Sequence, residues 1–280
     1  MTALLRAAPP PGELLPRLYD GDLFLLPPTA ASLRLVDEVR GLLSERLGSD
    51  PRKVHERLSN DEIFTRVGEL RRIFFLEKRF HDGVRAAMEA VGVDPERCAF
   101  DPIRIRVVLH NGHRNPASRA VYYPHRDTWY AHPRAVVAFW IPLDDLEEEE
   151  TFVFYPERLR EVIPNDSERF DYDTWVKRGW GLKIGWQDRK DGERAHYPGP
   201  LGQPDPGPAL GFSCRRGENL LFAGAHYHRT LPQSTGRTRF SLDFRFVDLD
   251  DLAHDRGAPG VDSRCTGSAV VDYVRTPPRG

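Results

Sequence analysis

The chain has 280 residues, 40% hydrophobic and 29% charged, enough to bury a full core with the composition of an ordinary globular domain. Its 40 Lys and Arg against 42 Asp and Glu give no broad field that would draw nucleic acid or an anionic membrane, so a small molecule is the default partner. No run approaches the roughly 20 apolar residues that cross a bilayer, and Pro9, Pro10 and Pro11 interrupt the opening where a secretion signal needs an apolar stretch; a soluble, cytoplasmic protein is expected.

In chain order, Thr29 to Leu47 carries Leu33, Leu35, Val36, Val39, Leu42 and Leu43 at helical spacing, with Gly48 placed to stop the helix. A second helical stretch runs from Asp61 to Val91 through Ile63, Val67, Leu70, Ile73, Phe74, Val84 and Met88. The first hundred residues therefore read as mainly helical. After Cys98 the pattern changes to short strands separated by turns: Ile103 to Leu109, Ala135 to Leu143, Thr151 to Tyr155, Glu218 to Phe222 and Phe240 to Phe246. No helices of useful length separate them, which disfavours parallel winding and favours an antiparallel sandwich or barrel. Cys98, Cys214 and Cys265 lie far apart and form no CxxC pair, so reduced thiols are expected rather than a zinc knot or disulfides.

Residues 156–211 form a polar excursion that nevertheless contains Trp175, Trp180 and Trp186, three of the chain's five tryptophans. It is either an insertion packed by its own aromatics or a lid that helps line a substrate pocket. One domain over 1–280 is expected, with helical support in 1–98, a barrel in 99–250 and a C-terminal extension in 251–280.

Chemistry concentrates in Tyr122-Tyr123-Pro124-His125-Arg126-Asp127. In a strand, residues two apart share a face, so His125 and Asp127 can offer an imidazole and a carboxylate to one space. A second segment pairs His226 and His228 with Arg237, Arg239 and Ser241 across the turn-rich stretch 231–236. A hairpin there would bring a third ligand and a cation to the same mouth. Two His and one carboxylate suit a mononuclear Fe(II) with three open positions. Two of these can take 2-oxoglutarate and one O₂, while an arginine matches the cosubstrate's far carboxylate.

The chain resembles the Fe(II)/2-oxoglutarate oxygenases, and among them the phytanoyl-CoA dioxygenase group. Members of that group carry HxD, a distal His, a hydroxyl residue two positions beyond it and an Arg eleven beyond it, commonly as RxS. His125 and Asp127 match the first element, and His228, Thr230, Arg239 and Ser241 the rest. The stretch Ala135 to Asp144 is similar to the group's strand after HxD. The likeness covers roughly Tyr122 to Tyr155 and Gly217 to Phe246. It departs at Glu147 to Glu150 and Tyr155 to Arg158, where many relatives have a Gly-containing turn and Pro-Gly-Ser-His. The resemblance implies a double-stranded β-helix, a jelly-roll of the cupin kind. Its metal ligands would be His125, Asp127 and His228, with Arg239, Thr230 and Ser241 toward 2-oxoglutarate. The expected reaction is oxidation, by default hydroxylation, of an unactivated C–H bond in a small metabolite, releasing succinate and CO₂. Halogenating relatives lack the carboxylate that Asp127 supplies.

Arg237 also lies eleven residues after His226, but the RxS context and Thr230 favour the His228 set. His226 is then a neighbouring contact or a buried histidine bonded to a backbone carbonyl. Arg104 and Arg106 share a strand face and are expected on a solvated outer surface, and His110, His113 and His132 near surface turns. The acidic run Asp144 to Glu150 reads as a charged loop capping a sheet edge. Two rival readings remain at this level: a cupin-like isomerase or lyase holding Zn(II), Mn(II) or Ni(II) without 2-oxoglutarate, and a non-catalytic ligand-binding barrel.

Overall fold

The apolar spacing of the N-terminal third folds as helices capped by their own polar ends. In a computed structural model describing residues 4–179 and 192–275, α1 (Leu14–Asp20) precedes α2 (Ala30–Leu47). The α2 start is fixed by a reciprocal cap between Thr29 and Ser32, and its end by Gly48 at φ 93°. The stretch expected to be helical from 61 to 91 divides into α3 (Asn60–Leu76) and α4 (Lys78–Ala90), with Glu77 extended between them. The break has a packing reason. On one straight helix Phe74 and Phe80 would point about 120° apart, whereas here both are fully buried with ring centroids 4.6 Å apart.

The strands are β1 (Leu4–Leu5), β2 (Leu23–Leu26), β3 (Cys98–Phe100), β4 (Arg104–Val108), β5 (Val137–Pro142), β6 (Phe152–Phe154), β7 (Asn219–Ala223), β8 (His228–Thr230), β9 (Arg239–Asp248) and β10 (Val274–Arg275). Short helices α5 (Tyr172–Lys177) and α6 (Leu249–Ala253) complete the elements used below. Eight strands form one sheet in the order β1-β2-β7-β5-β9-β3-β10, with β4 also paired to β9, and β6 and β8 form a second sheet. All five strands read from periodicity are present. The strand β2, buried at all four positions and antiparallel to β7, lies in a region whose sequence reads only as helical or irregular.

Period two sorts the large sheet into two faces. Val137, Phe139, Ile141, Phe240, Leu242, Phe244 and Phe246 pack with α2, α3 and α4 in the main core. Ala138, Trp140, Leu220 and Phe222 face Phe152 and Phe154 of the small sheet and Phe212, which directly follows the excursion. The fold is thus mainly β with a helical N-terminal part, its two sheets layered as in a double-stranded β-helix. They do not close into a barrel by hydrogen bonds among the described residues.

One expectation is overturned here: β8 and β9 are not a hairpin. The strand β8 pairs with β6, β9 pairs with β5, β4 and β3, and residues 231–238 carry the chain from one sheet to the other. The buried Glu150 organises that crossing. Its Oε1 accepts from Arg52 at 2.7 Å, Arg237 at 2.9 Å and Thr235 at 3.1 Å. The acidic run therefore does more than cap an edge. Because Phe244 stacks on Phe139 at 4.7 Å with no exposure, Phe244→Ala is expected to cost about 3–5 kcal/mol, read as a lowered midpoint in urea unfolding.

Candidate metal centre

The two halves of the site meet through backbone first. His125 and His228 form an antiparallel bridge in which each N–H donates to the other's carbonyl, at 2.9 and 3.0 Å. That pairing sets their rings side by side, with centroids 4.4 Å apart. The Nδ1 of His125 lies 2.8 Å from the Tyr123 carbonyl, and that of His228 lies 2.9 Å from the His226 carbonyl. A carbonyl only accepts, so each Nδ1 carries the proton and each Nε2 keeps its lone pair for a metal.

Asp127 arrives by a turn rather than by the strand that the HxD spacing suggests, because it opens a 3₁₀ segment running to Tyr130. Glycine at 224 makes room for that turn: a Cβ there would lie 2.3 Å from Val136 Cγ1 and 3.1 Å from Asp127 Cβ. The intervening Arg126 donates to the carbonyls of Leu159, Ala225, Arg158 and Glu161, pinning the turn to the start of the excursion. As a result, one ligand atom from each of His125, Asp127 and His228 lies within 4.8 Å of the others.

Electrostatics favour the ligating protonation states. Burial, then the neighbouring His228, lowers His125 to about 3, and burial likewise lowers His228. Burial opposes ionisation of Asp127, but Arg245, donating to Oδ1 at 2.9 Å, holds the carboxyl well below its usual range. Arg245 also faces Asp101 at 3.6 Å and Asp243 at 3.7 Å, and Asp243 accepts a two-pronged contact from Arg106 at 2.9–3.0 Å.

A pocket adjoins this cluster, lined by His125, Asp127, His228, Thr230 and Arg239 among others. Arg239 is buried, donates to the Thr151 carbonyl at 2.9 Å and leaves its Nε without a partner. Ser241 follows on the same strand face with its hydroxyl wholly buried and unpartnered. Orphaned donors of this kind, beside a cation, suit a ligand carboxylate.

His226 stands apart from the three-ligand cluster. It is fully buried among Phe154 and Phe222, and its ring nitrogens make no well-formed hydrogen bond, although they face the Gly21 backbone. Arg104 and Arg106 are not on a solvated outer face; both line the pocket, as does His132, whose Nδ1 lies 2.8 Å from the Tyr273 hydroxyl. Trp175 also lines it, while Trp180 and Trp186 lie outside the described residues. Sequence reasoning passed over Arg245 and Asp243, yet the alternation of β9 contains them: Arg239, Ser241, Asp243 and Arg245 occupy every second position.

The family model described as phytanoyl-CoA dioxygenase (PhyH) matches residues 45–241, more than half of the chain. The chain belongs to the phytanoyl-CoA dioxygenase family. The matched span contains His125, Asp127, His228, Thr230, Arg239 and Ser241, and stops four residues short of Arg245. No curated protein matches the sequence. Among solved structures, EvdO2 from Micromonospora carbonacea var. aurantiaca, complexed with 2-oxoglutarate, is 15% identical, with 87% of this chain and 94% of that one covered at TM-score 0.46. The epimerase SnoN, in complex with Fe3+, alpha ketoglutarate and nogalamycin RO, is 18% identical, with 93% and 96% covered at TM-score 0.43. The non-heme monooxygenase ThoJ, in its apo form, is 11% identical, with 88% and 86% covered at TM-score 0.44.

Two predictions follow from buried groups beside the cluster. Burial lowers folded His226 from 6.5 to about 3, so between those values the unfolded chain binds a proton that the folded one refuses, and stability falls as pH drops below 6.5. That term amounts to about 2 kcal/mol at pH 5, and His226→Phe is expected to remove it, flattening the fall in metal-free melting temperature between pH 7 and pH 5. Ser241→Ala deletes a desolvated hydroxyl that has no partner, and is expected to leave unfolding free energy unchanged or raised by about 1 kcal/mol, measured by urea titration.

Proposed function

We propose that the protein is an Fe(II)- and 2-oxoglutarate-dependent oxygenase acting on a small-molecule metabolite, with O₂ as oxidant and hydroxylation of an unactivated C–H bond as the default outcome. The observation that carries this is the convergence of His125, Asp127 and His228, with both Nε2 atoms unprotonated and free of hydrogen bonds to carbonyls. Family membership supports it. Two imidazoles and a carboxylate fit Fe(II) and leave the open positions that oxygen activation needs. When bound, Fe(II) would activate O₂, the oxidant, and 2-oxoglutarate would supply two electrons to it, leaving as succinate and CO₂ with one oxygen atom of O₂ in the succinate and the other in the product.

The chain's own residues bind, orient and exclude water. Arg239 would hold the far carboxylate of 2-oxoglutarate, with Ser241 and Thr230 as hydroxyl partners. Burial, opposed in part by Tyr122, brings Arg239 down to about 10, so the guanidinium stays charged at neutral pH. Arg245 orients Asp127 by its 2.9 Å contact. Trp140, Phe152 and Phe222 wall the cavity against water. In this reading residues 1–280 are one oxygenase domain, and the excursion contributes Trp175 and Tyr197 to the substrate side as a lid would.

Anaerobic addition of Fe(II) and 2-oxoglutarate to the metal-free protein is expected to give a visible metal-to-ligand band, and its absence would sink the proposal. Arg239→Met, removing one member of a buried charged pair, is expected to weaken 2-oxoglutarate binding by about thirtyfold or more in titrations of that band. A cupin-like isomerase or lyase would show neither the band nor that loss.

A further inference from the structure

The turn that carries Asp127 is gripped by the C-terminal extension, which lies beyond residue 241, where the family match ends. The Asp262 carboxylate accepts from the Trp129 indole Nε1 at 2.8 Å and pairs with the Arg126 Nε at 3.1 Å. Ser263 Oγ donates to the Thr128 carbonyl at 2.6 Å. The Ala131 backbone N–H donates to Cys265 Sγ at 3.1 Å, and the Ala131 carbonyl accepts from the Ala269 N–H at 3.0 Å. Residues 126, 128, 129 and 131 are thus all held by the segment 262–269, and these contacts bracket position 127.

Asp262 is the centre of this clasp. Its side chain and that of Arg126 are almost wholly buried, and Trp129 and Arg126 are the two largest fully buried side chains among the described residues. Asp262 Oδ1 takes the indole, Oδ2 takes the guanidinium and the Ile163 N–H at 3.1 Å, and the Asp262 carbonyl accepts from Asn165 Nδ2 at 2.9 Å. A buried carboxylate with donors on both oxygens has one position, so it fixes residues 126 and 129 relative to each other. The turn also carries strain: Ala131 lies at φ 60°, a left-handed conformation that a residue with a Cβ keeps only where its surroundings impose it, and Cys265 and Ala269 impose it here. Arg245 holds the Asp127 carboxylate itself, whereas the clasp holds the backbone that aims it. A ligand set must be kept within about 0.5 Å of its working geometry, so both constraints matter.

We propose that Asp262 is a positioning residue for the metal centre: by tying Arg126 to Trp129 it holds the backbone on both sides of Asp127, so that this carboxylate meets His125 and His228. Asp262 is not itself one of the clustered ligands. The inference rests on reading that cluster as a metal centre, and it adds a segment outside the family-matched span to the working site. The extension is then a part of the centre's scaffold and not a trailing tail.

The test measures Ni(II) affinity of the metal-free full chain by calorimetry at neutral pH, in the parent, Asp262→Asn, Trp129→Phe and the control Val84→Ala. The first variant keeps the shape and removes the charge, the second keeps a ring and removes the indole donor, and the control thins the helical core without touching the clasp. Urea midpoints are recorded so that affinities are compared on folded protein. The expected result is a Kd raised about tenfold or more in Asp262→Asn and about threefold or more in Trp129→Phe, with the visible Co(II) spectrum altered in both. Val84→Ala is expected to lower the urea midpoint yet bind Ni(II) within about twofold of the parent, because loss of stability alone leaves the affinity of folded protein in place. A smaller rise or an unchanged Co(II) spectrum in a variant that folds, or an equal rise in Val84→Ala, overturns the proposal and leaves Asp262 a prop of the fold alone. Trp129→Phe, the milder change, remains should Asp262→Asn fail to fold. A parent that binds Ni(II) but gives no band with Fe(II) and 2-oxoglutarate fails the oxygenase reading, while weakened Ni(II) binding in the variants still upholds the positioning role. A parent with the band and variants that bind Ni(II) as tightly fails the positioning role alone, and a parent that binds no Ni(II) overturns both.

Discussion

The structure depends on a strand that is buried on both faces but with opposite chemistry. On β9, phenylalanine and leucine alternate with Arg239, Ser241, Asp243 and Arg245, and all ten positions from Arg239 to Asp248 are buried. The apolar face needs only the helices. The polar face cannot be left unmatched, because each desolvated charge is costly on its own. It is answered from other segments: Asp101 and Arg106 flank it, and Asp127 is drawn to Arg245. The carboxylate proposed to hold iron is thus located by the same pairing that makes the strand's burial tolerable.

That arrangement explains how two segments about a hundred residues apart in the chain bring three candidate ligands together. The backbone bridge between His125 and His228 fixes two rings, the carbonyls of residues 123 and 226 fix their tautomers, and Arg245 fixes the third ligand. The buried charges carry a cost in stability, and the large apolar core on the other side of the same sheet offsets it.

Much of this was legible in the sequence, because period two is a strong signal where a strand has one apolar face. The strands around the site, the cluster of residues 125, 127 and 228, and the placement of residue 239 beside it all follow from spacing and from family resemblance. What escaped was long-range in origin. The 231–238 segment looks like a hairpin locally, yet it crosses between sheets because Glu150, some eighty residues earlier, gathers its side chains. Arg104 and Arg106 look like solvated arginines until Asp243 and the helices enclose them. The break at Glu77 shows only when Phe74 and Phe80 must both reach one core. Each is a tertiary demand that overrides a correct local pattern.

Glu150 links parts that a sequence comparison would treat as separable. Arg52, at the foot of the helical region, and Arg237, just ahead of β9, meet on its one carboxylate, while the main-chain oxygen of Thr151 supports the guanidinium of residue 239. The helical region is therefore mechanically continuous with the Arg239 end of the pocket. A chimera that exchanged the first hundred residues for those of a relative would have to bring positions 52, 150 and 237 across together, or accept a slackened grip at the far side of the fold.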